Sequence, residues 1–231
     1  MLNLNTLKMK TNEELQQDVE DAIKWEPLLH AAEIGVTARD GIVTLMGSVS
    51  SYSKKLEAEN ATKKVHGVRA IVEQIKVIPI GSYPKSDENI AKAALAAIDN
   101  NWSVPEGRVQ LKVEDGWVYL GGNLPWNYQK EAAEKAVQDL PGVLGIVNNI
   151  EIKREVSHAL EERFVRQAFK RHWALSTDEI GVHITGSSVK LTGVVHSLFE
   201  KEEAERLAWK APGVTWVDNQ LEIQYKHALS M

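Results

Sequence analysis

Three stretches of the chain read as one: Gly41–Gly47 (GIVTLMG), Gly116–Gly122 (GWVYLGG) and Ser187–Gly193 (SSVKLTG). Their closing glycines, Gly47, Gly122 and Gly193, are offset by 75 and 71 residues. A second landmark shares both offsets: His66-Gly67-Val68, Pro141-Gly142-Val143 and Pro212-Gly213-Val214. Two independent landmarks with common offsets define a tandem repeat of three units. Outward from them, Val36, Leu111 and Val182 align, as do Ile71, Ile146 and Val217, and then Ile75, Ile150 and Leu221. The units occupy residues 1–80, 81–153 and 154–231. The turn-rich Ile78–Ser86 (IPIGSYPKS) forms the first linker.

Each unit reads α-β-β-α-β. The first helix is expected over Asn12–Trp25, Asp87–Asn101 and Ser157–Trp173, with Asp87 as an N-cap. A strand such as Val109–Val113 alternates apolar and polar residues. Asp40-Gly41 and Asp115-Gly116 then suit hairpin turns, because both positions tolerate positive φ. The second helix is expected over Ser51–Val65, Pro125–Leu140 and Ser197–Ala211. Pro125 suits its first position, and Gly67, Gly142 and Gly213 suit its C-terminal stop. The order gives an α/β chain of the α+β type: three three-stranded mixed sheets, each with two helices on one face. Val43/Leu45, Val118/Leu120 and Val189/Leu191 share the parity that faces the helices. Ala58, Ala133 and Ala204 fall at one helical position, small enough for close approach to the sheet. Units of this size hold only a thin core, so packing between units should add to stability.

The segment Val113–Ile152 (VEDGWVYLGGNLPWNYQKEAAEKAVQDLPGVLGIVNNIEI) resembles the BON domain, named for bacterial OsmY and nodulation proteins. The shared pattern is a turn, an apolar strand ending in Gly, an amphipathic helix, P-G-V, then V-N-N before an apolar residue. Unit 3 keeps PGVTWVDNQLEI at Pro212–Ile223. Unit 1 diverges most, with His66 for the proline and Glu73-Gln74-Ile75 over the Asn pair. Three tandem BON-like units cover nearly the whole chain. The resemblance implies this fold, no catalytic residues, and a role linked to osmotic or envelope stress, phospholipid or membrane association, or transport. It also implies a periplasmic or outer-membrane location for many members.

The residues themselves offer little chemistry. The 231 residues include no cysteine, which excludes disulfides, thiol nucleophiles and thiolate metal sites. A net charge of −5 without a basic stripe argues against nucleic acid as a partner. Met1–Lys10 lacks the apolar core of an export signal, and no apolar run is long enough to span a bilayer, so a cytoplasmic protein is expected, starting at Met1 or Met9. No phosphate-cradling, nucleophile-elbow or zinc-helix motif occurs. His183 and His196 have no third ligand at metal-type spacing, so neither metal nor cofactor is expected. Glu200–Glu205 (EKEEAE) reads as a solvated helix face.

The 7 tryptophans are the residual signal. Trp117 and Tyr119 alternate with inward Val118 and Leu120, opposite the polar Thr44 and Lys190 of the other units. Tyr128 and Phe199 share a position early in the second helix. Trp126 lies nearer the inward stripe. Trp209 aligns with Lys63 and Gln138. Such rings either form interfaces between the units or present a surface to lipid, a small ligand or protein. Two readings follow: a non-enzymatic binding module for a membrane surface or envelope component, or a transport-associated homo-oligomer, dimeric or cyclic like a trimer, whose assembly is the functional object.

Overall fold

The computed structural model describes residues 10–29, 34–79, 86–153, 180–211 and 213–224. Unit 1 consists of α1 (Asn12–Lys24), β1 (Ile34–Arg39), β2 (Ile42–Val49), α2 (Tyr52–Lys63) and β3 (Ala70–Val77). Unit 2 follows with α3 (Asp87–Asp99), β4 (Val109–Glu114), β5 (Trp117–Leu124), α4 (Asn127–Gln138), β6 (Gly145–Asn148) and β7 (Glu151–Ile152). Unit 3 has β8 (Ile180–Thr185), β9 (Ser188–Val195), α5 (Leu198–Trp209) and β10 (Trp216–Ile223). The helix expected over Ser157–Trp173 lies outside the described residues.

The middle strand of each sheet pairs antiparallel with the first and parallel with the third, giving the mixed sheet expected. Unit 2 departs in one detail: its third strand is split into β6 and β7, both paired with β5. The repeat holds at the level of register. Gly47 faces Ile34, Gly122 faces Val109 and Gly193 faces Ile180 across equivalent antiparallel pairs. All three adopt positive φ, at 132°, 110° and 118°. At Gly122 a Cβ would come within 2.2 Å of the Arg108 carbonyl oxygen, so glycine is required there by space as well as by conformation.

Three local devices recur in the units and explain the landmarks. The first residue of helix 1 clamps the hairpin turn. Asn12 Oδ1 accepts from the Asp40 amide at 2.9 Å, and the Asp87 carboxylate accepts from the Asp115 and Gly116 amides at 2.8 and 2.9 Å. Asp87 is therefore not the N-cap expected. Ser86 caps α3 instead, and Asp87 is spent on the turn. The second device follows helix 2. Gly67 and Gly142 do not end the helix itself but occupy the third position of a β-turn beyond it, closed by Val68 N donating to Val65 O and Val143 N to Leu140 O. Their φ values of 95° and 98° at that position, with Pro141 ahead of Gly142, match a type II turn. Gly213 has the same sign of φ, and Val214 N donates to Ala211 O.

The third device ties helix 2 to the last strand and accounts for the V-N-N signature. Asn148 Nδ2 donates to Lys130 O and Glu134 Oε2, and its Oδ1 accepts from Ile150 N. Asn219 repeats all three bonds with Lys201, Glu205 and Leu221. Lys55, Lys130 and Lys201 each donate to the strand carbonyl twenty residues on. Unit 1 has Glu73 at the asparagine position. A carboxylate cannot donate, so Lys55 lies 3.0 Å from its Oε2 as an ion pair, out of line for a hydrogen bond.

The core of each unit lies between its described helices and one sheet face. Val43, Leu45, Val118, Leu120, Val189 and Leu191 are fully buried, and Ala58, Ala133 and Ala204 bring helix 2 onto them, as the parity implied. Pro125 is not the first helical residue: α4 opens at Asn127, with Trp126 at the N-cap. Gly122→Ala should cost about 3 kcal/mol from strain and collision. Gly121→Ala, where a Cβ meets nothing within 4 Å, should be neutral or stabilising by about 0.5 kcal/mol. Chemical denaturation of the two variants checks this pair.

Candidate functional site

The six aromatic residues singled out from the sequence fall on separate surfaces. Trp117 and Tyr119 lie on the open face of the unit 2 sheet. A Cβ at Gly145 would meet the Trp117 ring at 2.4 Å, so the indole is laid across the neighbouring strand over a glycine. The same cross-strand pair is Ile42 with Ala70 in unit 1 and Ser188 with Trp216 in unit 3, so one large and one small residue meet each time. Tyr119 faces Lys112, whose Nζ sits 5.5 Å from the ring centroid while bonding Glu114. Trp126 and Tyr128 lie at the other end of β5, at the start of α4. An eight-residue strand spans roughly 25 Å, so these two pairs do not form one patch.

Trp126 is exposed, not core. It stands at the position of Ser51 and Ser197, which cap α2 and α5 through their hydroxyls. Indole has no acceptor oxygen. The return bond persists, with Trp126 N donating to Gln129 Oε1, and the ring packs 6.4 Å from Tyr128. Phe199 is exposed at the start of α5, and Trp209 is half-buried against the unit 3 core.

Further sites emerge where the units meet. The first residue of helix 2 is Tyr52, Asn127 or Leu198. Tyr52 of unit 1 packs against the unit 2 core, and Leu198 of unit 3 packs against the unit 1 core. Burial pushes the Tyr52 phenol above its ordinary range and the Glu134 carboxylate adds to this, while the Ile146 backbone amide draws it partly back. Across the unit 3–unit 1 junction, Lys63 bonds Glu202 at 2.8 Å as well as Glu59. There too, the Gly67 amide donates to His196 O, and the His66 and His196 rings lie 5.9 Å apart beside Glu200.

The run Glu200–Glu205 is therefore not a solvated face. Glu203 is buried on Arg206, Glu202 reaches Lys63, and Glu205 accepts from Asn219. His196 is half-buried at the junction. Among the described residues no group of His, Asp or Glu is arranged to hold a metal ion.

Between units 2 and 3 lies a cleft of about 970 Å³, lined on one side by α4 and the last strands of unit 2 and on the other by α5, Thr215 and Trp216. Trp209 belongs to it. Its neighbour Trp216, 64% exposed, was not among the expected site residues, nor were Trp25 and Trp102, which are 85% and 93% exposed at the C-terminal ends of α1 and α3. The equivalence of Tyr52, Asn127 and Leu198 is also invisible as chemistry, since the three side chains share none.

Two measurements follow. Trp126→Ser restores an acceptor at the N-cap and should stabilise the chain by about 1 kcal/mol in denaturant titration. The raised Tyr52 phenol stays protonated in the folded state beyond pH 10. Its contribution is then complete below about pH 10 and lost as pH rises through the higher folded value. Tyr52→Phe should therefore flatten the alkaline fall in stability above about pH 10.

A search against family models matches the BON domain at residues 11–79, 86–154 and 162–225. Osmotically-inducible protein Y of Escherichia coli (strain K12) is 27% identical over 132 residues, covering 54% of this chain and 64% of that protein. The chain thus aligns with less than two-thirds of that relative's length. Among solved structures, the C-terminal domain of CdsD, a structural protein of the Type III secretion system of Chlamydia trachomatis, aligns over 93% of this chain and 100% of its own. Identity is 16% and the TM-score 0.24, a value at which whole-chain superposition fails. Three family matches at the spacing of the repeat, on a fold whose V-N-N and P-G-V signatures each have a structural role, place this chain in the BON domain family.

Proposed function

We propose that this chain is a non-enzymatic BON protein that associates with a phospholipid or envelope surface, in a stress-related role of the kind the name of its Escherichia coli relative carries. The observation that supports this reading is the exposure of Trp25, Leu28 and Trp102, at 85%, 63% and 93%. These side chains follow the C-terminal ends of α1 and α3, the equivalent end of helix 1 in units 1 and 2. Tryptophan combines apolar area with an N–H donor, which suits the headgroup layer of a bilayer. Each ring buried there contributes on the order of 1–3 kcal/mol. The net charge of −5 offers no general attraction to anionic lipid, so the apolar anchors carry the affinity. Among the described residues no helix is long and apolar enough to cross a membrane.

The homo-oligomer reading draws on a different surface. Ile42, Met46 and Val72 are exposed on the open face of the unit 1 sheet, where the equivalent residues of unit 3 are the polar Ser188, Thr192 and Asp218. Flotation with phosphatidylcholine vesicles separates the two. Trp25→Ala with Trp102→Ala should lower the bound fraction about tenfold or more, with little effect of added salt. Unchanged flotation of that variant, with concentration-dependent light scattering abolished by Val72→Lys, would favour assembly.

A further inference from the structure

We propose that the cleft between units 2 and 3 is a binding site for a small cationic aromatic amine, the third of three equivalent sockets and the one left unfilled among the described residues. At offsets of 75 and 71, Tyr52, Asn127 and Leu198 are the same residue of helix 2. Tyr52 enters unit 2 and Leu198 enters unit 1, each packed against the receiving core. By the same relation residue 127 points from unit 2 toward unit 3. There stands Asn127, too short and too polar to act as a plug, and it lines the open cleft. Its amide is turned back on its own helix, donating to Glu131 Oε1 at 2.8 Å.

A second position tells the same story. Lys63 and Glu202 pair across the unit 3–unit 1 junction. The equivalent positions across the unit 2–unit 3 junction are Trp209 and Glu131, and both line the cleft. The carboxylate is kept while its ammonium partner is replaced by an indole. Relative to the unit 1–unit 2 junction the third lacks the Tyr52 ring, and relative to the unit 3–unit 1 junction it lacks the Lys63 ammonium group. Residues 127 and 131 are one helical turn apart on the same face, about 5–6 Å, which an arylethylamine spans. Its ring would take the place that Tyr52 takes at the first junction, against Trp209 and Trp216, and its ammonium the place of Lys63, against Glu131.

The charge around the cleft agrees. Of its five glutamates, Glu151 and Glu202 are paired with Lys153 and Lys63, while Glu131, Glu134 and Glu205 accept from neutral asparagine amides; the cations on its walls, Lys130 and Arg206, are engaged with Ile150 O and Glu203. A cation gains from this field and from the faces of the two indoles. An anion of the same shape does not.

The test is isothermal titration of the full chain with tyramine. Saturable binding is expected, weakened about tenfold or more when the ammonium is replaced by a carboxylate, as in 3-(4-hydroxyphenyl)propionate, and likewise when the ring is absent, as in ethylamine. Asn127→Tyr, which installs the unit 1 plug, should abolish tyramine binding while raising thermal stability. Trp216→Ala, at an exposed position that cannot compromise the core, should weaken binding severalfold. Absence of saturable tyramine binding, equal affinity for the propionate, or full binding by a folded Asn127→Tyr chain would overturn the proposal.

Discussion

Everything in this molecule depends on how closely helix 2 can approach its sheet. Ala58, Ala133 and Ala204 have no solvent exposure and stand directly over Val43/Leu45, Val118/Leu120 and Val189/Leu191. A larger side chain would lift the helix from a sheet that, among the described residues, carries its core on one face only. The approach also fixes the Lys55, Lys130 and Lys201 bonds to the last strand, and the Asn148 and Asn219 bridges, whose reach is set by the helix-to-strand distance. A core this thin contributes little beyond the entropy cost of ordering about 65 residues. The far side of helix 2 is therefore put to use against a neighbouring unit.

The electrostatics of those contacts are secondary to their packing. Burial pulls the Lys63 ammonium down, but its bonds to Glu202 and Glu59 outweigh this and leave it net raised. Glu202 remains largely exposed, so the pair is screened and contributes about 1 kcal/mol at most. Leu198 at the unit 3–unit 1 junction, and Tyr52 at the unit 1–unit 2 junction, remove apolar surface from water and carry more of the stabilisation.

The repeat and the inward faces were legible because both rest on local rules: glycine where φ is positive, alternation along strands, small residues where elements touch. The junctions were not. Helix 2 of units 1 and 3 buries residues toward its own sheet and toward a neighbouring unit, which blurs the single apolar stripe that sequence periodicity detects. That is why Glu200–Glu205 looks solvated although Glu203 is buried. Trp126 was misplaced for a related reason. Counting from Pro125 put it inside the helix, whereas alignment with Ser51 and Ser197 places it at the cap. Asp87 shows the converse: a good capping residue was taken by a distant demand, the turn at Asp115-Gly116.

The contact between units is heterologous, since the start of helix 2 in one unit meets the core of another. Repeated with a fixed rotation, such a contact either runs on as a filament or closes on itself. Here unit 1 docks on unit 2 and unit 3 docks on unit 1, which leaves unit 2 facing unit 3. Two contacts of a triangle determine the third separation. The chain links raise the effective concentration of the units, so the third contact need not be favourable for the arrangement to persist. The residues at that junction are thereby released from packing duty, and Asn127 and Trp209 differ from their counterparts without loss of the fold. A cleft held apart by the other two junctions does not collapse onto its own indoles, which is the condition for a site already formed before its ligand arrives.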